Sequence, residues 1–364
     1  MNSDKSHIVF ICSRLDLPGG IERAIVNTAG LFVSYKHSVT LLILDETAKS
    51  FYPLDPSINI KQDSISFGMT EKGNVFTRKI QFLKDIRKLN SILKELKADI
   101  VIATEYPFAI AAVMCGAKKY SHVYSWEHHH YDWLQKSLFW KILFNWYYKE
   151  LDGIICLNKT EADHYNRFAA TYIIPNFIEN KSGRQAALDQ KTILSVGWLI
   201  PRKGIDFIMK AAKQALTQYP DWKWKIIGDG ELKDQLLGFI EKEKLQGRLI
   251  LQQPAINNIE EEYYNASIYV LASRFEAFPM VLLEAMSLGV PCISFNCPTG
   301  PSDIIINNED GILVEKGNTQ KLTEAIIKLI EDEPLRIKMG EKAFTNIQRF
   351  APEWVYKLWE ELLF

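Results

Sequence analysis

Short apolar runs alternate with helical patterns along the first half of the chain. Between the runs, apolar residues recur at helical spacing, for example over 22–33 and 78–96. The runs themselves predict strands at 7–12, 38–44, 98–104, 122–126, 151–158 and 171–176. Continuous apolar strands separated by helices indicate parallel strands that are covered on both faces, which is a doubly wound α/β sheet.

A polar stretch over 178–190 interrupts this alternation and predicts a linker, because it contains Gly183 and has little apolar periodicity. The alternation then restarts, with strands predicted at 192–198, 222–228, 249–254, 268–273, 291–296 and 311–316 and helices at 204–218, 231–244, 259–266, 279–288 and 319–332. The second half therefore predicts another doubly wound domain. Ligands of such sheets bind beyond the carboxyl ends of the strands, so two facing domains predict a cleft between them.

Length and composition narrow the class of protein. A chain of 364 residues, 47% hydrophobic and 24% charged, is long enough for two domains with sizeable cores. A net charge of -1 gives no reason to expect nucleic acid as a partner. The five cysteines are scattered without metal-ligand spacing, which favours buried, reduced thiols in a cytosolic protein. Since the first apolar stretch is too short for a signal peptide and no apolar run reaches about 20 residues, we expect a cytoplasmic protein, at most peripheral to a membrane.

The segment SRFEAFPMVLLEAMSLGVP (273–291) carries the strongest candidate chemistry. Pro279 suits the first position of a helix that is apolar on nearly every side. Glu284 lies inside this helix and needs hydrogen-bond partners, which either a sugar diol or a buried Arg or Lys could supply. The N–H groups of Met280 and Val281 at the helix start favour an anionic phosphate. The segment therefore predicts a sugar-diphosphate site, with a structural ion pair as the alternative.

Glu276 precedes this helix and lies eight positions before Glu284. The stretch resembles the E-x(7)-E signature of the retaining glycosyltransferases of family 4, which have the GT-B fold. The resemblance implies that Glu276 contacts the hydroxyls of the donor sugar and that Glu284 binds the ribose of the nucleotide. It also implies that the backbone of Phe278, Pro279 and Met280 lies along the sugar and the diphosphate.

The resemblance continues through 297–305 and 311–314, which are similar to family members that build bacterial surface polysaccharides. It implies an α/β GT-B architecture of two facing Rossmann-like domains. The acceptor would bind to 1–180 and the nucleotide sugar to 181–345. The final segment, 346–364, would form a helix that packs back on the first domain.

The segment VGWLIPRKGIDF (196–207) follows a predicted strand and opens a helix. Lys203 beside a helix start predicts contact with the donor diphosphate, and the alternative is a solvated basic pair. The family usually has an arginine directly after the glycine, where this chain has Trp198, and Arg202 is the candidate substitute. Gly228 lies in a strand-to-turn segment that allows tight geometry and recurs at this point in the family.

Two loops of the first half resemble family loops at the catalytic cleft. Gly19 and Gly20 match a GG-x-ER loop whose N–H groups approach the donor phosphate or the acceptor, although a turn that needs positive φ is the alternative. His128 matches the histidine that is thought to stabilise the donor sugar or its transition state, with His129 as the second candidate. Adjacent loop histidines cannot easily share one ion, so we expect no metal site here.

Two further segments raise the possibility of membrane contact. The aromatic segment 131–151 is interpreted as a core helix, and the alternative is a surface that touches lipid headgroups on the acceptor side. The helix predicted at 78–96 carries six basic and two acidic residues. Its basic face could meet an anionic membrane, although a solvated face is the default interpretation.

The implied reaction transfers a sugar from a nucleotide donor to a hydroxyl with retention at the anomeric carbon. We expect no cofactor and no metal, because no Asp-x-Asp pair is apparent and Lys203 with helix N–H groups can neutralise the leaving diphosphate. By resemblance, the donor is a uridine diphosphate sugar and the acceptor a lipid-linked glycan or polysaccharide. The alternatives are a nucleotide-sugar epimerase and a non-catalytic nucleotide-sugar-binding protein.

Overall fold

The computed structural model describes residues 5–45, 49–67, 75–131, 136–180, 182–254 and 259–364. These residues form two compact units. The first consists of Met1–Pro175 together with Val355–Phe364, and the second is Asn176–Trp354. Each unit contains one parallel sheet with helices between its strands. The prediction of two doubly wound α/β domains is confirmed.

Seven parallel strands form the sheet in the described part of the first unit. The strands are β1 (His7–Cys12), β2 (Ser38–Ile43), β3 (Asn59–Gln62), β4 (Ile100–Ala103), β5 (His122–Glu127), β6 (Gly153–Cys156) and β7 (Thr171–Ile173). Their order is β3-β2-β1-β4-β5-β6-β7. The connecting helices are α1 (Gly20–Ser34), α2 (Val75–Leu96), α3 (Tyr106–Met114), α4 (Leu138–Tyr147) and α5 (Lys159–Tyr165). The central strands are buried along their length because helices cover both faces.

The second unit has a six-stranded parallel sheet within its described residues. The strands are β8 (Thr192–Val196), β9 (Lys223–Ile227), β10 (Leu249–Gln252), β11 (Ile268–Leu271), β12 (Cys292–Asn296) and β13 (Gly311–Glu315). Their order is β10-β9-β8-β11-β12-β13. The helices are α6 (Ile205–Gln218), α7 (Lys233–Lys242), α8 (Ile259–Tyr264), α9 (Met280–Ser287), α10 (Pro301–Ile304), α11 (Thr319–Glu331) and α12 (Glu333–Asn346).

The last helix, α13 (Pro352–Leu363), packs on the first unit. The ring of Trp359 lies 5.5 Å from that of Phe32 and 5.3 Å from that of Trp126, measured between centroids. The hydroxyl of Tyr356 lies 2.9 Å from Nε2 of the buried His37. Edge-to-face aromatic pairs of this kind add about 0.5–1.5 kcal/mol each beyond the burial of their surface. The first unit is therefore completed by residues from the far end of the chain.

The segment 178–190 differs from its prediction as a linker. The chain passes from the first unit to the second at Pro175–Asn176. Beyond that point, the backbone N–H of Ala186 donates to the carbonyl of Leu288 at 2.8 Å, and Leu188 is buried. A polar segment can thus be fixed by a few backbone hydrogen bonds and one apolar side chain, which leave no periodic pattern in the sequence.

Three smaller findings bear on the sequence predictions. No described helix has the length and apolarity needed to cross a bilayer. The five cysteines are free thiols, and all but the half-buried Cys115 are buried. Within the aromatic segment 131–151, the described residues form α4 and a short 3-10 turn. Residues 132–135 of this segment lie outside the described residues.

Candidate active site

The candidate donor-binding residues of the second unit lie where its strand order reverses. The strands β9 and β10 extend the sheet on one side of β8, and β11, β12 and β13 extend it on the other. Lys203 follows β8 and Glu276 follows β11, the two strands that flank the reversal. Open α/β sheets bind their ligands beyond the carboxyl ends of such strands. The fold therefore brings together two residues that are far apart in the sequence.

Lys203 and Glu276 form a partly buried ion pair at this position. The Nζ of Lys203 donates to Oε1 of Glu276 at 2.6 Å, and the side chains are only 15% and 10% exposed. The hydroxyl of Ser273 donates to the same oxygen at 2.6 Å. The hydroxyl of Thr299 donates to the backbone carbonyl of Glu276 at 2.5 Å. The carboxylate is thus held in one orientation by a cation and a hydroxyl.

A close approach between two loops allows this pair to form. Gly204 has a φ of 69°, and a Cβ at this position would overlap the carbonyl oxygen of Ala272. Only glycine satisfies both the left-handed backbone and the lack of space. Because Gly204 directly follows Lys203 and Ala272 directly precedes Ser273, this approach places Lys203 beside the loop that carries Glu276.

Arg274 is a site residue that the sequence does not predict. Its guanidinium donates two hydrogen bonds of 2.8 Å to the carboxylate of Asp206, and its Nη1 donates to the carbonyl of Pro201 at 2.6 Å. Its backbone N–H donates to the carbonyl of Arg202 at 2.8 Å. Arg274 therefore ties the Lys203 loop to the Glu276 loop. An arginine beside the glutamate signature was the available signal, but its partners are distant in sequence.

The helix that follows the Glu276 loop begins one residue later than predicted. Pro279 has an extended backbone (φ -73°, ψ 104°) and precedes the helix as its N-cap, so its predicted first helical position is wrong. A residue before the helix needs no helical ψ, and proline fixes only φ. Phe278 is buried, and α9 starts at Met280. The first N–H groups of a helix, here those of Met280 and Val281, have no intrahelical acceptor.

Glu284 is buried inside α9, as its apolar surroundings predict, with 8% of its surface exposed. Its Oε2 accepts a hydrogen bond of 2.6 Å from the hydroxyl of the buried Tyr263. Tyr263 belongs to α8, so a neighbouring helix orients this carboxylate. The sequence predicts a sugar diol or a basic side chain as the partner of Glu284 and gives no sign of the tyrosine, because nothing in the sequence links the two helices.

Gly228 lies where the loops after β8 and β9 touch. A Cβ at Gly228 would overlap the carbonyl oxygen of Gly197. The N–H of Gly197 donates to the carbonyl of Ile227 at 2.9 Å. Arg202, the candidate substitute for the family arginine at Trp198, lies in the 3-10 turn Pro201–Lys203. The structure thus places Gly228, Arg202 and Lys203 at the same edge of the sheet.

In the first unit, Gly19 and Gly20 form the start of α1. Gly19 is the N-cap with a φ of -100°, and Gly20 is the first helical residue, so the alternative of a turn with positive φ is wrong for Gly19. The side chain of Glu22 lies over Gly19 and occupies the space that a Cβ would need. Because the end of a glutamate side chain can rotate away, neither lack of space nor an unusual backbone requires a glycine at position 19.

His128 directly follows β5 of the first unit and is 5% exposed. Its ring centroid lies 4.2 Å from that of Trp126. Burial, with a smaller effect of the neighbouring His129, lowers the pKa of His128 to about 3, so the imidazole is neutral at physiological pH. Its Nε2 is buried and has no hydrogen-bond partner among the described residues. Leaving such an atom without a partner costs about 1–3 kcal/mol, so a polar atom of a water molecule or of a ligand would stabilise it.

The residue before His128 has a different environment. The carboxylate of the buried Glu127 accepts hydrogen bonds from Ser125 at 2.5 Å, from Tyr165 at 2.9 Å and from Tyr148. This network uses both oxygens of Glu127 and fixes the end of β5. Among the described residues, no three His, Cys, Asp or Glu side chains are grouped in a way that could hold a metal ion.

Comparisons with known proteins show which family the chain is similar to. The sequence matches the model of the family described as Glycosyl transferases group 1 over residues 176–345. It matches the model of Glycosyltransferase Family 4 over residues 18–181. An uncharacterized glycosyltransferase of Haemophilus influenzae is 26% identical over 98% of this chain and 99% of its own length. The amylovoran biosynthesis glycosyltransferase AmsD of Erwinia amylovora is 26% identical over 95% of this chain and 96% of its own.

The fold is similar to that of a mutant form of Staphylococcus aureus TarM. The structure of Staphylococcus aureus TarM in complex with Fondaparinux, alpha-GlcNAc-glycerol and UDP superposes with a TM-score of 0.81, at 15% identity, over 98% of this chain and 99% of TarM. The comparisons support neither an epimerase nor a non-catalytic binding protein. Because the two family matches together span residues 18–345, the chain belongs to the GT-B glycosyltransferases of family 4 and group 1.

Proposed function

We propose that this glycosyltransferase transfers a sugar from a uridine diphosphate sugar to a hydroxyl of a lipid-linked or polysaccharide acceptor, with retention and without a metal ion. The observation that carries the proposal is the Lys203–Glu276 pair, at 2.6 Å, beside the start of α9. It combines a cation for the diphosphate with a carboxylate for sugar hydroxyls. The UDP bound to TarM and the role of AmsD in amylovoran biosynthesis support the donor and acceptor classes.

Each donor-site residue has a role that follows from its chemistry. Glu276 accepts hydrogen bonds from hydroxyls of the donor sugar, and Glu284 accepts them from the ribose. Lys203, with Arg202 beside it, neutralises charge on the leaving diphosphate together with the N–H groups at the start of α9. We propose that these groups replace a metal ion, and that a diphosphate oxygen takes the acceptor proton on the same face of the sugar.

His128 and the Gly19–Gly20 loop supply the contribution of the first unit. The neutral imidazole of His128 can donate or accept one hydrogen bond through Nε2, according to its tautomer. We propose that this atom contacts the donor sugar as charge develops at the anomeric carbon. The N–H groups of the Gly19–Gly20 loop at the start of α1 suit an oxygen of the donor phosphate or of the acceptor.

Nucleotide binding provides the direct test of the donor class. We expect uridine diphosphate at ~100 times its dissociation constant to add roughly 2.7 kcal/mol of stability and raise the melting temperature by several degrees. Guanosine and adenosine diphosphates at the same concentration serve as matched controls. The shift should persist in the presence of a chelator. A shift that the chelator abolishes would contradict the metal-free site, and no shift with any nucleotide would contradict the donor site.

Tyr263 allows the role of Glu284 to be tested. A hydrogen bond to a charged group contributes about 1.5–3 kcal/mol, so we expect Tyr263→Phe to weaken uridine diphosphate binding by roughly tenfold or more. Turnover at saturating donor should change much less. Tyr269→Phe is the matched control, because Tyr269 is also buried but its hydroxyl contacts the backbone of Val196. Equal losses of affinity in both variants, measured by calorimetry, would argue for a general packing effect.

A lipid-linked acceptor would require the enzyme to reach a membrane surface. Peripheral contact with an anionic membrane, on its cytoplasmic side, is therefore part of the proposal. This membrane contact concerns the location of the enzyme and is independent of the identity of the sugar donor.

A further inference from the structure

We propose that one face of the first unit docks on a bilayer that contains anionic phospholipid. This face, the α2–α4 face, consists of exposed apolar side chains on two helices, namely Ile80 and Leu83 of α2 and Leu138, Phe139, Ile142 and Trp146 of α4. The inference deepens the proposed function, because it names the surface through which the enzyme would reach a lipid-linked acceptor.

The apolar ridge on α4 follows the helical repeat. Leu138, Ile142 and Trp146 are spaced four residues apart, so they lie along one side of the helix. Leu138 is 76% exposed and Trp146 is 74% exposed. The opposite side of the helix is occupied by Trp140 and Phe144, which are buried in the core of the unit. α4 therefore buries one set of large apolar residues and presents a second set to solvent.

The two helices meet at an aromatic contact. The ring of Phe139 on α4 lies 5.5 Å, edge to face, from the ring of Phe82 on α2. Leu83 is the next residue of α2, and Ile80 lies one turn before it, both exposed. Since monomeric proteins rarely expose large apolar patches without a purpose, grouped exposed residues of this kind mark an interaction surface.

The charge beside these apolar residues favours an anionic membrane over a neutral partner. The basic residues of α2 are Arg78, Lys79, Lys84, Arg87, Lys88 and Lys94, and they are all exposed. Asp85, the acidic residue among them, is buried and accepts hydrogen bonds from the N–H groups of Ser66 and Phe67 and from Gln81. The outward charge of this part of α2 is therefore positive.

Some of the basic side chains of α2 form no ion pair with another described residue. Lys88 pairs with Asp63, and Glu95 pairs with Lys61 near the end of the helix. Lys79, Lys84 and Arg87 remain exposed, and Lys141 lies on the exposed part of α4 beside Ile142. Exposed leucine, isoleucine and tryptophan flanked by lysine and arginine are typical of helices that lie in a membrane interface.

Vesicle co-sedimentation tests the proposal with the full chain. We expect the wild-type protein to bind vesicles of phosphatidylglycerol and phosphatidylcholine, and to bind vesicles of phosphatidylcholine alone much more weakly. Lys79→Glu/Lys84→Glu/Arg87→Glu should lower the partition coefficient by about a hundredfold or more, since each basic residue contributes about fivefold near an anionic surface. Leu138→Ser/Ile142→Ser/Trp146→Ser should lower it by at least about tenfold.

Matched controls separate the α2–α4 face from general effects. Lys223→Glu/Lys328→Glu/Lys338→Glu changes the net charge equally on exposed positions of the second unit and should leave binding close to that of the wild type. Trp354→Ser removes an exposed tryptophan outside the face and should also have little effect. The uridine diphosphate shift should be unchanged in every variant, which shows that each one is folded.

Several outcomes would overturn the proposal. If the wild-type protein stays in the supernatant with anionic vesicles, the α2–α4 face does not dock on a membrane. If the α4 variant, Leu138→Ser/Ile142→Ser/Trp146→Ser, still binds vesicles as the wild type does, the membrane contact lies on another surface. Wild-type dimers that the α4 variant converts to monomers, in the absence of vesicle binding, identify a second copy of the chain as the occupant. Vesicle binding without a nucleotide shift would instead contradict the proposed donor site and leave the docking surface standing.

Discussion

We expect Glu276→Gln to lower turnover by about two to three orders of magnitude, because charge stabilisation by one well-placed group at a reacting centre has that value. The substitution keeps the size of the side chain and removes its charge. Lys203 then loses the carboxylate that accepts its hydrogen bond at 2.6 Å, and the sugar hydroxyls lose an anionic acceptor. Turnover is measured as uridine diphosphate release with a verified donor and acceptor, and nucleotide affinity is measured separately.

The control for this prediction is another lysine–glutamate pair of the second unit. Glu262 accepts hydrogen bonds from Lys225 at 2.5 Å and from Gln252 at 2.9 Å, and it is also partly buried. Glu262→Gln should therefore change stability by a similar amount but leave turnover nearly unchanged. If Glu276→Gln kept the wild-type rate, Glu276 would have no part in the reaction, and the Lys203–Glu276 pair would be structural.

The second large effect is expected from Gly204→Ala. Alanine at a φ of 69° costs about 1–2 kcal/mol, and its Cβ would overlap the carbonyl of Ala272. Relieving that overlap requires a shift of the two loops, at a further cost of about 1–3 kcal/mol. The sum of roughly 3 kcal/mol should lower the melting temperature of the second unit by about 10 °C.

For Gly238→Ala we expect the opposite effect, which is an increase in stability. Gly238 lies within α7, and a Cβ there would have no neighbour within 4 Å. Alanine should stabilise this helix by roughly 0.5–1 kcal/mol, because glycine is unfavourable in a helix interior. If Gly204→Ala and Gly238→Ala have the same melting temperature in a calorimetric scan, the contact between Gly204 and Ala272 does not constrain the loops.

The sequence predicts those parts of the fold in which apolar residues follow one another or recur at a regular spacing. The buried strands at 100–103 and 153–156 are continuous apolar runs, and they are recognisable without a partner. β3 was missed, because its residues, Asn59–Gln62, are mostly exposed at the sheet edge and owe their extended form to pairing with β2. Local pattern carries no information about a strand that is polar on both faces.

The same distinction applies to the candidate site. Glu276, Glu284 and Lys203 were recognisable from local segments and a family resemblance. Their immediate partners were not, since the hydrogen bonds of Tyr263 with Glu284 and of Arg274 with Asp206 join residues 21 and 68 positions apart. A one-dimensional pattern identifies a charged residue in an apolar setting, but the fold decides which group neutralises it.

The packing of α13 on the first unit also has a consequence for folding during synthesis. Val355–Phe364 emerge from the ribosome only after the whole of Asn176–Trp354. Until then, the surfaces of Phe32 and Trp126 that Trp359 covers remain exposed, although the rest of their unit was made first. The second unit is continuous in sequence and can form its core without waiting. Vectorial synthesis therefore favours completion of the second unit before the first, the reverse of their order along the chain.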